Sequence, residues 1–378
     1  MKKIKTDFLI VGSGLYGCVL AERIANVLKK KVIILEKRNH IGGNCYSEVD
    51  KVTGIEYHKY GTHIFHTSIK PVWNYLKNFT YLNNYRHQVL SRYKNKIYQM
   101  PINLETINTF FNKNLDPIMA KNFISKQTKK YLKVEKNNFD IKARSQIGDK
   151  LYDAFIKNYT FKQWGKHPKD LPSFIFNRLP LRFDYREDYY KNSLVEGIPS
   201  EGYTKIFERL IDNKNIKIQF NSNFEFENNH NVKYLTIYTG PLDKLLKNKF
   251  GKLEWRSLKF KKEIINQDDF QGTSVINHPE LKYKFTRIHE PKHLHPERTY
   301  GKKTLIIKEF SNSNSNEPYY PINNNKNKIL YNKYKNYLKS KDRKFIFGGR
   351  LGDYAYYDMD MTISAALKKF ENIKKNFN

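Results

Sequence analysis

Three glycines near the start of the chain have the spacing that lets a backbone bind phosphate. Gly12, Gly14 and Gly17 follow the apolar run 8–11, and Glu36 closes a second apolar run nineteen residues after Gly17. In this pattern the first glycine permits a tight turn, the second lets the chain approach a pyrophosphate, and the third lets a helix pack on a strand. An acid at this distance accepts ribose hydroxyls and argues against a 2′-phosphate. The pattern therefore predicts a bound dinucleotide.

The elements around these glycines agree with that interpretation. Apolar positions 18, 21, 25 and 28 recur at three- and four-residue spacing, which is typical of a helix, whereas residues 31–35 form a short branched run typical of a buried strand. Phosphate would then lie at a helix N-terminus, where free N–H groups and the helix dipole favour anions. Strand, glycines, helix, strand and acid in this order predict a βαβ dinucleotide-binding unit.

Two further glycine pairs extend this prediction. Gly42 and Gly43 follow the second strand, and Gly348 and Gly349 stand between the strand-like run 344–347 and a helical pattern. Each pair allows a close approach of backbone to the same cofactor, although an ordinary glycine turn is the alternative for the first pair read alone. The second pair predicts a cofactor domain assembled from both ends of the chain.

The middle of the chain changes pattern twice. From Asn103, a plausible N-cap, to about residue 156 the pattern is helical, with positions 147, 151, 154 and 155 on one face. Runs 216–220, 233–238 and 304–307 alternate as strands do, and they suggest an antiparallel sheet as a third lobe. The predicted fold class is α/β, with a discontinuous Rossmann-like domain, an inserted helical lobe and an antiparallel β-sheet lobe.

Composition narrows the class of protein. At 378 residues, 39% apolar and 15% aromatic, the chain can bury a large core and divide into two or three lobes. Two cysteines cannot form a disulfide framework, which predicts the cytoplasm, and the first apolar run is too short for a signal peptide or a membrane span. The net charge of +32 would suit polyanions, but the lysines are scattered and form no basic stripe, so nucleic-acid binding is not expected.

Seven ordered motifs make the chain recognisable. It resembles the prokaryotic type of UDP-galactopyranose mutase in EKRNHIGGN at 36–44, YGTHIFHT at 60–67, YTFKQW at 159–164, RLPLRF at 178–183, FTRI at 285–288, EPYYP at 317–321 and FGGRL at 347–351. The resemblance implies a homodimer that binds FAD and interconverts UDP-galactopyranose and UDP-galactofuranose with no net redox. It further implies that only reduced FAD is active, through a covalent bond between flavin N5 and the sugar, with NADH or NADPH as reductant.

The resemblance also assigns residues. For the cofactor it implies Gly12, Gly14, Gly17, Glu36, Arg38, Gly42, Gly43, Asn44, Arg350, Asp358 and Met359. For the UDP-sugar it implies Asn84, Phe155, Tyr159, Thr160, Trp164, Arg178, Tyr189, Asn277, Arg287, Tyr320 and Tyr356. Among the catalytic residues it places Arg178, Arg287 and His63, and no metal is expected.

Chemistry suggests a role for several of these residues. Planar guanidinium groups meet diphosphate oxygens with paired hydrogen bonds, which suits Arg178 and Arg287. Aromatic rings such as Tyr159 and Trp164 can hold uracil, although a packed aromatic core is the alternative. His63 is interpreted as shaping the flavin environment, with proton transfer as the alternative.

The resemblance divides the chain into three lobes. It assigns residues 1–85, 201–245 and 318–378 to the FAD-binding domain, residues 86–175 to the helical substrate lobe, and residues 176–200 and 246–317 to the sheet lobe. Two other classes of function stay open at this point. One is a net-redox flavoenzyme of the amine-oxidase type, and the other is a flavin-free binding protein or polyanion binder. Whether the sugar is galactose alone or also N-acetylgalactosamine is open as well.

Overall fold

The computed structural model of the chain describes residues 4–178, 181–190, 193–228, 230–312 and 317–377, with the side chains of residues 174, 177 and 178 left out. The side chain of Arg178, a predicted substrate and catalytic residue, therefore lies outside the described part, although its backbone ends a 3-10 turn, Ser173–Arg178. Within the described ranges, no helix has both the length and the apolar composition needed to cross a bilayer.

Strands occur along the whole of the described chain. In chain order they are β1 (Lys5–Val11), β2 (Val32–Leu35), β3 (Ser47–Val49), β4 (Glu56–His58), β5 (Phe65–Thr67), β6 (Val89–Tyr93), β7 (Lys96–Met100), β8 (Val195–Gly197), β9 (Ile216–Gln219), β10 (Asn231–Tyr238), β11 (Trp255–Ile265), β12 (Val275–Asn277), β13 (Arg287–His289), β14 (Thr304–Asn312), β15 (Tyr320–Pro321) and β16 (Phe345–Phe347). Most of them belong to two sheets of five and seven strands.

Helices alternate with these strands. In chain order they are α1 (Leu15–Val27), α2 (Lys70–Leu76), α3 (Leu104–Phe111), α4 (Pro117–Thr128), α5 (Phe139–Leu151), α6 (Lys157–Trp164), α7 (Tyr203–Ile211), α8 (Leu242–Leu245), α9 (Asn325–Lys341), α10 (Gly349–Gly352) and α11 (Met359–Lys374). A π-helical turn, Tyr152–Ile156, joins α5 to α6.

The first sheet is the predicted Rossmann-like domain. Its strands are parallel and lie in the order β16-β10-β1-β2-β9. Strands β1 and β2 read as nearly continuous apolar runs because side chains on both faces are buried, Phe8, Ile10 and Ile34 among them. Helices α1 and α11 pack against each other on this core. The domain is therefore assembled from both ends of the chain, as the sequence predicts.

The second sheet has the order β15-β11-β14-β13-β12-β6-β7. Its pairs are antiparallel except β12 with β6, which is parallel, so the sheet is mixed. The suggestion that runs 216–220 and 233–238 belong to an antiparallel sheet was wrong, because β9 and β10 lie parallel in the first sheet. Alternation of side chains identifies a strand but not the direction of its partner. Strands β6 and β7, within the segment 86–175 assigned to helices, were missed; the lobe boundaries themselves stay predictions.

The helical lobe is formed by α3 to α6. Asn103 caps α3 as predicted, since its side chain accepts a hydrogen bond of 2.9 Å from the backbone N–H of Thr106. The apolar face predicted at positions 147, 151, 154 and 155 is buried, as expected. It is not one continuous helix, however, because Gly148 has φ +77° and kinks α5.

Candidate active site

A large cavity opens at the carboxyl ends of the parallel strands, where this class of sheet binds ligands. All of the predicted cofactor residues line it except Asp358. Asp358 is the N-cap residue of α11, and Met359, the first residue of that helix, reaches the cavity wall. The two glycine segments and the start of α11 therefore surround one space.

Two of the glycines have the steric roles that the sequence predicts. Gly12 has φ +103°, and a methyl group added there would lie 2.1 Å from Oγ1 of Thr239. A methyl group at Gly17 would lie 2.1 Å from the carbonyl oxygen of Gly12. Side chains larger than hydrogen are thus excluded from the turn and from the contact between helix and strand.

Gly14 and Gly43 bring two backbone segments into contact at the cavity wall. A methyl group on Gly43 would lie 3.0 Å from Cα of Gly14, and Gly43 has φ +55°. Both glycines line the cavity, and Gly14 immediately precedes α1. This cradle fits a dinucleotide, because bare backbone beside a helix N-terminus accommodates the bulk and the charge of a pyrophosphate. The pair Gly42–Gly43 is therefore more than an ordinary turn, because Gly43 forms part of this cradle.

Replacing Gly43 by alanine should prevent normal binding of the predicted cofactor, FAD. The added methyl would press on Gly14 and fill the cradle, so we expect the purified Gly43→Ala protein to retain less than roughly a tenth of the wild-type flavin. Flavin absorbance per mole of protein measures this. Gly54→Ala is the matched control, since Gly54 has φ +70° but no atom within 4 Å of an added methyl. Equal flavin loss in both variants would mean that backbone strain, not the cradle, matters.

Glu36 is held rigidly at the end of the cavity. It is 4% exposed, and its Oε2 accepts hydrogen bonds from the backbone N–H of Ser13 at 2.8 Å and from Oγ of Ser13 at 2.7 Å. Its Oε1 accepts from the backbone N–H of Arg38 at 2.9 Å. A carboxylate has about four acceptor positions. These bonds leave capacity on Oε1, which agrees with the predicted ribose contact.

Arg38 belongs to a small cluster on the same wall. Its Nη2 donates to Oδ1 of Asn44 at 3.0 Å and to Oε2 of Glu317 at 2.7 Å. Its guanidinium carbon lies 4.1 Å from the ring centroid of Tyr60. Glu317 belongs to the motif EPYYP, but its carboxylate has no role in the prediction from sequence. It anchors Arg38 across 279 residues of sequence, a distance that local patterns cannot bridge.

His63 lines the cavity in a fixed tautomer. Its Nδ1 lies 2.6 Å from the carbonyl oxygen of Gly61 and must donate, which leaves Nε2 as an acceptor. Its backbone N–H donates to Nδ1 of His58 at 2.9 Å. Burial, reinforced by the charge of Arg350, lowers the pKa of His63 to about 4. The imidazole is therefore neutral at pH 7, which favours the interpretation that it shapes the flavin environment.

Arg350 connects the cavity to two stacked rings. Its Nε donates to the carbonyl oxygen of Tyr357 at 2.9 Å, and its guanidinium carbon lies 5.4 Å from the ring centroid of Tyr320 and 5.8 Å from that of Tyr356. The two tyrosine rings stack with centroids 5.2 Å apart. A ligand leaving the cofactor cavity on this side meets a cation and two phenols.

Arg287 lies beyond these rings, at the start of β13. Its Nη2 donates to the hydroxyl of Tyr159, and its Nε lies 3.3 Å from Oε1 of Glu309. Burial opposes the charge, but Glu309 and the neighbouring phenols of Tyr159, Tyr189 and Tyr320 raise the pKa of Arg287. The predicted substrate residues from three distant segments therefore meet around one permanently charged guanidinium.

Glu309 was missed by sequence reasoning. It is 5% exposed and accepts a hydrogen bond of 3.0 Å from Nε2 of His289, whose Nδ1 lies 2.8 Å from Oγ1 of Thr62. Burial opposes ionisation, yet Arg287 and His289 lower the pKa of Glu309 to about 2. A single buried carboxylate thus links Arg287 to the segment that carries His63. The available signal in the sequence was an acid just beyond the strand-like run 304–307.

The remaining predicted substrate residues have mixed surroundings. Asn277 pairs with Arg287 in the register of β12 and β13, and its Oδ1 is buried without a partner among the described residues. Phe155 is 4% exposed and packs its ring on Tyr93 and Tyr98, so its substrate contact stays a prediction. The others are Thr160, which is buried, Trp164, which is half-buried on α6, and Asn84, which is exposed.

Comparison with known proteins decides the family. The model of the UDP-galactopyranose mutase family matches residues 154–356, and that of the NAD(P)-binding Rossmann-like domain matches residues 10–79. The chain belongs to the UDP-galactopyranose mutase family. Its members are isomerases, and the family match spans Tyr159, Arg287, Tyr320, Arg350 and the other site residues from position 154 to 356.

Relatives of this mutase family cover nearly the whole chain. A protein described as probable UDP-galactopyranose mutase of Klebsiella pneumoniae is 38% identical over 96% of this chain and 93% of its own length. A dTDP-fucopyranose mutase of Escherichia coli is 34% identical over 97% and 98%. The crystal structure of a reduced UDP-galactopyranose mutase has the same fold, with a TM-score of 0.74, 18% identity and coverage of 98% and 96%.

Proposed function

We propose that this mutase interconverts UDP-galactopyranose and UDP-galactofuranose with bound, reduced FAD and no net redox change. The supporting observation is that the predicted substrate residues adjoin the cofactor cavity. His63 and Arg350 line the cavity, the rings of Tyr320 and Tyr356 lie near the guanidinium group of Arg350, and Tyr320 is close enough to Arg287 to affect its pKa. A nucleotide sugar held along these residues would place its sugar beside the flavin.

Ring contraction at fixed oxidation state requires release of the anomeric carbon from UDP, opening of the ring, closure by a different hydroxyl, and return of UDP to the anomeric carbon. FAD, when bound and reduced, supplies an electron-rich N5 that can hold the anomeric carbon while UDP is away. The protein's own task is then to hold the sugar in place and to stabilise the departing diphosphate. Arg287 suits that second task because Tyr159 and Glu309 fix its guanidinium group.

Water must be kept from the opened sugar, and the residues around the site are arranged accordingly. Tyr320 and Tyr356 present a stacked aromatic surface, and His63 offers only an acceptor nitrogen at neutral pH. We propose that Arg178 adds a second cation from the segment that follows the Pro168–Asp170 turn. NADH or NADPH as reductant, a homodimer and a cytoplasmic location stay predictions.

The redox state of the flavin tests this function directly. We expect holoenzyme reduced with dithionite under anaerobic conditions to convert UDP-galactofuranose to UDP-galactopyranose, and oxidised holoenzyme to convert less than roughly a hundredth as much, because only reduced N5 is nucleophilic. Chromatography of the two nucleotide sugars measures both. Equal turnover in the two states would refute the proposal. Stoichiometric oxygen consumption would instead favour a net-redox flavoenzyme.

A second candidate substrate is dTDP-fucopyranose. It is favoured by the 34% identity to the Escherichia coli dTDP-fucopyranose mutase, close to the 38% shared with the Klebsiella protein. The ring-contraction chemistry would be the same, so the two candidates differ only in base, ribose and sugar contacts. Parallel assays with UDP-galactose, UDP-N-acetylgalactosamine and dTDP-fucose, compared by kcat/KM, separate these possibilities.

A further inference from the structure

Lys162 lies inside the turn that joins β12 to β13. Its Nζ donates to the carbonyl oxygens of Glu280 and Tyr283, each at 3.1 Å, to that of Phe285 at 2.8 Å, and to that of His278 at 2.5 Å. The turn is closed by a hydrogen bond of 2.8 Å from the N–H of His278 to the carbonyl oxygen of Thr286. One ammonium group, with three N–H donors, therefore gathers four carbonyls of a single nine-residue connection, 278–286, so at least one donor is shared between two oxygens.

The turn that Lys162 binds is flanked by two predicted substrate residues. Asn277 precedes it and Arg287 follows it, and both are predicted to contact the UDP-sugar. Lys162 itself belongs to α6, the helix that carries Tyr159 and Trp164. A single side chain thus connects the helix predicted to hold uracil with the strands predicted to hold the diphosphate.

A second cation, Arg256, fixes the same helix and is buried. Arg256 of β11 is 5% exposed, and its Nε and Nη2 donate to the carbonyl oxygen of Gln163 at 3.1 and 2.8 Å. Oγ of Ser311 on β14 donates to the same oxygen at 2.5 Å. The end of α6 is therefore attached to the sheet lobe through hydrogen bonds to charged groups, which are stronger than neutral ones.

Lys162 is protonated at neutral pH. Burial lowers its pKa to about 8, and the carboxylate of Glu280 opposes that shift. Burial, followed by the charges of Lys162 and Arg92, lowers the pKa of His278 to about 4. The imidazole of His278 is neutral at pH 7, so it adds no second positive charge beside the ammonium. All three N–H groups of the Lys162 ammonium can therefore donate at pH 7.

We propose that Lys162 is a positioning residue that holds the uracil-binding helix and the Asn277–Arg287 turn in register for the nucleotide diphosphate. The inference rests on the proposed function, since it assumes that both elements contact one ligand. Lys162 does not reach the cofactor cavity, whose wall is formed by other residues. Its loss should weaken binding of the diphosphate and leave the flavin and the chemical step nearly intact.

The test compares Lys162→Met with Lys157→Met in the FAD-loaded protein. Both lysines are on α6, but the side chain of Lys157 is 40% exposed and lies 3.9 Å from Asp153. Methionine keeps the length and apolar stem of lysine without the ammonium. For Lys162→Met we expect Kd for UDP and KM for UDP-galactofuranose to rise roughly 10- to 100-fold, with kcat within about threefold and flavin content unchanged. Lys157→Met should behave as wild type.

Hydrogen exchange of the ligand-free holoenzyme gives a readout that does not depend on activity. In Lys162→Met, amides of residues 278–286 should exchange at least roughly tenfold faster, while those of β14 stay unchanged. Lys162→Gln, which keeps two donors, should lie between wild type and Lys162→Met.

The outcomes separate the two hypotheses. The positioning role would be overturned if wild-type holoenzyme and Lys162→Met bound UDP with the same Kd and exchanged these amides at the same rate. A fall in kcat at unchanged KM, or loss of flavin in both Lys162 variants, would also overturn it. Wild-type holoenzyme that binds neither UDP nor UDP-galactofuranose would overturn the proposed function instead, whatever the variants do.

Discussion

Replacing Arg287 by alanine should lower kcat/KM for UDP-galactofuranose by roughly 100- to 1000-fold in the reduced holoenzyme. The guanidinium is the charged group around which Tyr159, Tyr189 and Tyr320 assemble, and Glu309 keeps it ionised. In enzymes generally, removing one preorganised donor that stabilises a developing anion lowers the rate by roughly 100- to 1000-fold. Initial rates of the reduced enzyme, together with Kd for UDP, measure the loss.

Two variants separate charge from geometry and from general destabilisation. Arg287→Lys keeps the positive charge but loses the planar fork, so we expect it to recover about a tenth of wild-type kcat/KM. Arg209→Ala removes an arginine whose ion pair with Glu201 is exposed and should change kcat/KM less than twofold. Full activity in Arg287→Ala with intact flavin would mean that another cation, such as Arg178, neutralises the diphosphate.

The cofactor half of the site was predictable because its signals are local. Gly12, Gly14 and Gly17 lie within six residues, and each of their steric requirements follows from a turn or a helix that begins nearby. The apolar runs on either side determine the first strands and α1 without reference to the rest of the chain. The suggestion that runs 216–220 and 233–238 belong to an antiparallel sheet was wrong, because strand pairing depends on partners far away in sequence.

The substrate half could be proposed only through resemblance. Arg287, Tyr159 and Tyr320 are separated by more than thirty residues from one another, and nothing in their local pattern distinguishes them from surface residues. Glu309 and Lys162 were missed even so, because the reason for each is a buried partner on another element. Buried charges are compensated by specific neighbours, and such neighbours are found only in three dimensions.

Glu309 and Lys162 both restrain Arg287 or the turn beside it. Glu309 fixes Arg287 from the side of β14, and Lys162 fixes the turn that precedes Arg287 from the side of α6. Glu309 is a buried charge beside Arg287, and Lys162 is a half-buried charge on the turn that precedes Arg287, an arginine that must itself stay charged and immobile. We infer that charged and hydrogen-bonding neighbours hold the guanidinium group of Arg287 in place before the ligand binds. Loss of any one of these partners should lower the free energy of unfolding.

Replacing Glu309 by alanine should therefore destabilise the fold by about 3–5 kcal/mol at pH 7, because Arg287 and His289 lose a buried partner. Glu309→Gln keeps the shape and one acceptor and should cost about 3 kcal/mol. That figure follows from the carboxyl pKa of about 2 in the fold against about 4.3 in the unfolded chain. Denaturant unfolding of the holoenzyme at a series of pH values measures both.

The stability that Glu309→Gln loses relative to wild type should decrease as the pH falls. A carboxyl whose pKa is lowered by folding contributes its full stability above pH 4.3 and loses it as the pH falls through 4.3 towards 2. The difference in unfolding free energy between wild type and Glu309→Gln should therefore be constant from pH 7 to 5 and shrink towards zero near pH 2. Glu208→Gln, at an exposed pair with Lys205, should stay within about 0.5 kcal/mol of wild type throughout. A difference for Glu309→Gln that does not change with pH would show that the carboxylate is not the restraint on Arg287, and that packing around β14 accounts for the loss.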